Sequence, residues 1–76
     1  MAFSNEDKQP TYGQLGSALL GSAYNNELLS VKTILDSDHP PIDFTDPLTG
    51  LTALHMAVGR NHLDIVKVLV EHGASF

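Results

Sequence analysis

Apolar residues recur at helical spacing in two blocks of the chain, 16–35 and 52–70, and a polar stretch separates the blocks. Recurrence at every third or fourth position is typical of amphipathic helices. The stretch between the blocks, 36–50, holds three prolines and four aspartates, which interrupt helices and favour turns. The pattern therefore predicts two helical units joined by a turn-rich linker.

The second block predicts a pair of short antiparallel helices over residues 52–72. Thr52 suits the N-cap of the first helix, and the apolar residues that follow it share one helical face. Asn61 tolerates the left-handed backbone conformation that ends a helix. A second helix is expected from about Leu63, and Gly73 is a strong signal for its end.

The two blocks match each other when the sequence is shifted by 34 residues. Identical residues then coincide at core-type positions: Gly16 with Gly50, Leu20 with Leu54, Ala23 with Ala57, Leu29 with Leu63 and Leu35 with Leu69. The polar residues between these positions mostly differ. A period of this length is typical of stacked helical repeats, in which each unit buries its apolar face against its neighbour.

The segment Thr52-Ala-Leu-His-Met-Ala57, continued by Gly-Arg-Asn-His-Leu-Asp-Ile-Val and closed by Gly73-Ala74, strongly resembles an ankyrin repeat. The pattern of that family has a Thr-Pro-Leu-His-x-Ala box, a Gly-His-Leu-Glu-Ile-Val turn and a closing Gly-Ala. In this chain Ala53 replaces the proline of the box, and Asn61 replaces the glycine of the turn. Both changes are mild, because alanine favours helices and asparagine accepts the left-handed turn.

The resemblance implies an all-α fold, an α-solenoid of helix–turn–helix repeats with a short β-hairpin-like finger between repeats. We predict a flexible N-terminal tail at 1–13, a degenerate N-capping repeat at 14–46 and a well-matched repeat at 47–76. Ile42 would anchor the base of the finger, and 46–50 would form its tip. The resemblance gives structural roles to Gly50, Thr52, Leu54, His55, Ala57, Asn61 and Gly73.

Metal-binding and catalytic interpretations find little support in the sequence. By resemblance, His55 should bond to Thr52 and to a backbone group, and so tie one finger to the next. No two histidines have the i, i+3 or i, i+4 spacing that places two metal ligands on one helical face. The linker aspartates lack the pattern of a calcium loop, and neither a nucleophile elbow nor a phosphate-cradling glycine loop occurs. The sequence therefore predicts no catalytic residue, no metal, no cofactor and no enzymatic activity.

Composition and charge narrow the function further. The chain has 9 acidic and 4 basic residues, a net charge of −5 and no clustered lysine or arginine. That balance argues against binding to nucleic acid or to an anionic membrane surface. The absence of cysteine excludes a disulfide framework. No apolar run is long enough to span a bilayer, and the N-terminus does not resemble a signal peptide, so we expect a cytoplasmic protein.

The remaining hypothesis for function is the binding of a protein partner. In the ankyrin family, finger tips and the exposed side of each first helix line a concave groove. Carried onto this chain, the groove would use Pro47, Leu48, Thr49, Leu51, Gly59 and Arg60; the plainer interpretation is that these positions are simply solvated. An interaction module is the leading prediction. The alternative is a regulatory or structural ankyrin appendage of a larger enzyme or effector protein.

The C-terminal end of the sequence lacks the polar substitutions of a terminal repeat. Val66 and Val70 stay apolar where such a repeat normally turns polar, and Phe76 matches the finger-anchoring Ile42. We therefore expect the natural protein to continue with at least one more repeat or a capping helix. The 76-residue chain would then expose an apolar end face that favours self-association.

Overall fold

The computed structural model describes residues 10–75, which form four α-helices in two stacked pairs. The helices are α1 Tyr12–Tyr24, α2 Leu28–Leu35, α3 Ala53–Gly59 and α4 Leu63–Glu71. α1 packs against α2 and α3 against α4, while α1 also packs on α3 and α2 on α4. Residues 10–75 contain no β-strand, so the connection between the pairs is a turn. The predicted all-α architecture of helix–turn–helix repeats is confirmed.

Each helix pair turns at an asparagine in the left-handed conformation, with φ of 61° at Asn26 and 62° at Asn61. An equivalent hydrogen bond closes each turn, from the Glu27 N–H to the Ser22 carbonyl (2.8 Å) in the first and from the His62 N–H to the Ala57 carbonyl (2.9 Å) in the second. The turns lie 35 positions apart, not the 34 that the side-chain matches indicated. The difference arises because the position of each turn depends on which residue adopts the left-handed backbone conformation. Similar side chains beside the turn do not determine its position.

α1 begins two residues inside the segment that the sequence analysis assigned to a tail. A capping box starts the helix: the Thr11 hydroxyl accepts from the Gln14 N–H at 3.0 Å, and Gln14 Oε1 accepts from the Thr11 N–H at 2.9 Å. Tyr12 and Gly13 are therefore helical. Residues 1–9 of the expected tail lie outside the described residues.

The core lies between the two helix pairs and is almost wholly apolar. Its buried members are Leu19, Leu20, Ala23, Val31, Leu35, Ala53, Leu54, Ala57, Ile65, Leu69 and Ala74. The linker closes one side of it, because Ile42 and Phe44 are partly buried against these residues. The Phe44 ring lies directly over Gly16, in the space that a side chain at Gly16 would need. Ile42, the expected anchor of the finger base, thus contacts the core.

Candidate functional site

The finger between α2 and α3 is a tight turn over residues 46–51. Its backbone is closed by two hydrogen bonds, from the Asp46 N–H to the Leu51 carbonyl (2.8 Å) and from the Gly50 N–H to the Asp46 carbonyl (2.7 Å). Gly50 has a φ of 74°, a left-handed conformation that glycine adopts without steric cost. Pro47 and Leu48 occupy the tip, and the Leu48 side chain is 94% exposed.

The Asp46 carboxylate stabilises the finger tip by hydrogen bonds within the turn. Its Oδ2 accepts from the Leu48 N–H (3.1 Å), the Thr49 N–H (2.9 Å) and the Thr49 hydroxyl (3.0 Å). Thr49 Oγ1 in turn accepts from the Leu51 N–H at 3.3 Å. Thr49, which was expected to contact a partner, is exposed. Its hydrogen bonds also stabilise the turn that displays Leu48.

Thr52 and His55 join the finger to α3. The Thr52 hydroxyl accepts from the His55 N–H at 3.4 Å, and His55 Nδ1 lies 3.3 Å from the Thr52 backbone nitrogen and 2.8 Å from its hydroxyl. This arrangement is a capping box with histidine in the position usually held by Glu or Gln. Leu54 and Ala57 on the same helix are fully buried. The capping box and these two buried side chains together fix the direction in which the finger leaves the core.

The far end of α3 contacts α1 through the turn that leads into α4. The Arg60 guanidinium lies over the Tyr24 ring, 4.2 Å from its centroid. His62 Nε2 donates to the Tyr24 carbonyl at 3.1 Å. Both residues of the second repeat therefore contact the last residue of α1, and they tie the two repeats together at this end.

A hollow of about 270 Å³ lies on the exposed side of α1 and α3. We call it the inner-helix hollow; it is lined by Ser17, Leu20, Gly21, Tyr24, Asp46 and Met56. The lining residues of α1 are spaced so that they share one helical face. These residues were not predicted from the sequence, although the small residues at 17 and 21 on that face could have indicated a depression.

The structure divides the predicted partner-binding residues into two groups. Pro47, Leu48, Thr49 and Leu51 lie before α3 on the finger, whereas Gly59 and Arg60 lie at its C-terminal end; all six are exposed. α3 has seven residues and is about 10 Å long, so the two groups lie too far apart to form one small contiguous surface. The inner-helix hollow connects them, because Asp46 of the finger and Tyr24, on which Arg60 stacks, both line it.

Residues 10–75 hold neither a cluster of metal ligands nor a membrane-spanning helix. No group of three or more His, Cys, Asp or Glu side chains is placed to hold a metal ion there. His72 instead donates through Nδ1 to the Val68 carbonyl at 2.9 Å, at the C-terminal end of α4. None of the four helices in this part of the chain is long and apolar enough to cross a membrane.

Comparison with known proteins agrees with this geometry. A family model described as ankyrin repeats, in three copies, matches residues 7–76. The chain belongs to the ankyrin repeat family. The left-handed turns, the capping box at the start of α3 and the glycine-closed finger all lie within the matched residues. Proteins of this family generally bind other proteins and are typically not enzymes.

Curated relatives match only a part of the chain. The ankyrin repeat and SOCS box protein 6 of Mus musculus, that of Pongo abelii and that of Homo sapiens are each 58% identical to it over 33 residues. The match covers 43% of the present chain and 8% of each relative. No solved structure matches the chain.

Proposed function

We propose that the chain is a protein–protein interaction module that presents the finger and the exposed faces of α1 and α3 as one concave groove. The observation that carries this proposal is Leu48. Its side chain is almost fully exposed on a turn whose backbone is held by the Asp46 carboxylate. An apolar side chain on a rigid, outward-pointing turn loses little conformational freedom when a partner covers it, which favours binding.

The predicted contact residues act from both ends of this groove. Pro47, Leu48, Thr49 and Leu51 would meet the partner from the finger, and Gly59 and Arg60 from the turn after α3. A standard protein interface buries roughly 800 Å² on each side, and we expect a groove that spans two repeats to offer less. We therefore expect modest affinity from these residues alone. We propose no catalytic role for them.

A second candidate function is a regulatory or structural appendage of a larger enzyme or effector protein. The curated relatives favour it, because their name joins ankyrin repeats to a SOCS box and the matched region is a small part of their length. The reading frame downstream of residue 76 distinguishes the two candidates. Further repeats would support the interaction scaffold, whereas a long non-repeat domain would support the appendage.

A capture experiment tests the groove. The chain, a groove variant with Leu51→Asp and Arg60→Glu, and a control with Leu29→Asp and Lys32→Glu are immobilised and exposed to lysate. Leu29 and Lys32 are exposed residues of α2, and the two variants change the net charge equally. We expect the groove variant, but not the control, to lose the specific partners of the natural chain. Equal capture by all three proteins would contradict the proposed groove.

The cytoplasmic location that the sequence predicts is part of this proposal. Fluorescence microscopy of the tagged protein tests it. A signal confined to a membrane-bounded compartment would contradict it.

A further inference from the structure

We propose that the inner-helix hollow takes one apolar side chain of an extended peptide segment that carries a basic residue towards the finger and an acidic residue towards Arg60. This inference rests on the proposed binding function and specifies the chemistry of the partner. Three features support it: the open apolar floor of the hollow, the Asp46 carboxylate that lines it and the Arg60 guanidinium stacked on Tyr24, another lining residue.

The floor of the hollow is open because of Gly21. A Cβ built at this position would meet no atom within 4 Å, whereas the Leu20 and Met56 side chains line the sides. Pockets for drug-sized molecules span roughly 300–1,000 Å³, and this one is smaller, at about 270 Å³. Its size and apolar lining suit a single side chain of a peptide better than a free small molecule.

The finger end of the hollow is negatively charged. Asp46 lines it, and within residues 10–75 every hydrogen bond of its carboxylate uses Oδ2. Oδ1 is therefore available to accept from a cation of the partner, and the three internal bonds hold the group in place. The net charge of −5 on the chain adds a general attraction for a basic segment.

A positive charge lies next to the hollow at Tyr24: Arg60 does not line the hollow itself, but it stacks on this lining residue. The Arg60 guanidinium stacks on Tyr24, and within residues 10–75 it forms no ion pair with a carboxylate. Stacking on an aromatic face leaves the N–H groups at the edge of the guanidinium free to bind a carboxylate with two parallel hydrogen bonds. Because the stacked side chain is already ordered, an acidic residue of the partner binds it at a lower entropic cost.

The separation of the two charges sets the spacing of the partner. α3 lies between the finger and Arg60 and spans about 10 Å. An extended chain advances about 3.3 Å per residue. Because side chains of an extended chain alternate between its two faces, the basic and acidic residues of the partner should lie four positions apart, with the apolar residue midway between them.

Selection from a random peptide library displayed on phage tests this pattern. We expect peptides enriched on the natural chain to carry the basic–apolar–acidic pattern at that spacing. Selection on Asp46→Asn, which keeps an oxygen to hold the finger, should lose the basic residue. Selection on Arg60→Glu should lose the acidic residue. Enriched peptides that lack charge pairing on the natural chain would overturn the inference.

A second measurement separates this inference from the proposed function. Gly21→Leu fills the hollow, and Gly13→Leu places the same side chain at an exposed position of α1 outside it. Fluorescence anisotropy should show about tenfold weaker binding of the best peptide to Gly21→Leu and no change for Gly13→Leu, with circular dichroism confirming that both variants fold. If the selected peptides are uncharged and Gly21→Leu still weakens their binding, the proposed charge pattern is overturned but the groove is not. No enrichment, or binding that Gly21→Leu leaves unchanged, would overturn the groove itself.

Discussion

Thr52 determines how α3 begins, and with it the direction of the finger. Its hydroxyl and backbone both bond to His55, so one residue pair satisfies two backbone N–H groups that a helix start leaves without partners. At α1 the same role falls to Thr11 and Gln14. A single threonine therefore links the local backbone chemistry to the position of the proposed binding surface.

Replacing Thr52 with alanine removes this cap. We expect Thr52→Ala to lower the free energy of unfolding by about 1 kcal/mol, the usual effect of losing a threonine N-cap. Urea denaturation followed by circular dichroism measures the change. Thr45→Ala, at an exposed linker position, serves as the control and should stay within about 0.5 kcal/mol of the natural chain. Equal destabilisation by the two variants would contradict the role of the cap.

Within α1, two glycines have opposite surroundings. Gly16 is buried and faces the Phe44 ring, which brings the linker onto the helix. Gly21 faces the open hollow. A glycine inside a helix weakens it by roughly 0.5–1 kcal/mol relative to alanine, so each glycine lowers the stability of α1 and one of them makes room for an aromatic ring.

The same substitution at these two positions should have opposite effects. Gly21→Ala should raise the free energy of unfolding by about 0.5–1 kcal/mol, because the added methyl group meets no atom and the helix propensity improves. Gly16→Ala should lower it by about 1–3 kcal/mol, because the methyl group displaces Phe44. Thermal or urea unfolding of both variants checks the signs. Stabilisation by both would show that Phe44 does not pack on α1.

The sequence predicted the ends of α3 and α4, because these ends depend on the conformational preferences of single residues. Thr52, Asn61 and Gly73 were each assigned from a preference of the residue itself, and their conformations agree. The contacts of Tyr24 with Arg60 and His62 were not anticipated, since these residues lie far apart in the sequence and meet only when the repeats stack. The inner-helix hollow was missed partly for the same reason, because Asp46 and Met56 complete it only when the repeats stack, although the small residues at 17 and 21 were a local signal for it.

At the scale of the whole molecule, the two repeats share one interface. The second repeat has a face equivalent to the one that the first repeat buries there, and this second face is uncovered. Ala23 and Leu35 of the first repeat are both buried in the core that the two repeats share. The residues 35 positions later, Val58 and Val70, are 45% and 51% exposed, and Leu63 beside them is 65% exposed. Because repeat proteins gain stability from each interface between neighbours, an added neighbour on this face would stabilise the stack.

This uncovered face should make the 76-residue chain self-associate. Sedimentation velocity over a wide concentration range should show an increasing apparent mass. Val70→Lys should reduce the increase, since a lysine in the last turn of α4 places a charge on the face and suits the helix dipole. The control Leu29→Lys changes an exposed apolar residue of α2. A chain that stays monomeric at every concentration would contradict the expectation.

The central claim is that partners bind the groove formed by the finger, α1 and α3. The most direct test is NMR chemical-shift mapping on the isotope-labelled chain as the best selected peptide is added. We predict that the shifted backbone amides concentrate at residues 17–24, 46–51 and 56–60. Shifts concentrated instead in α2 and α4, at residues 28–35 and 63–71, would place the binding surface on the outer helices and contradict the claim.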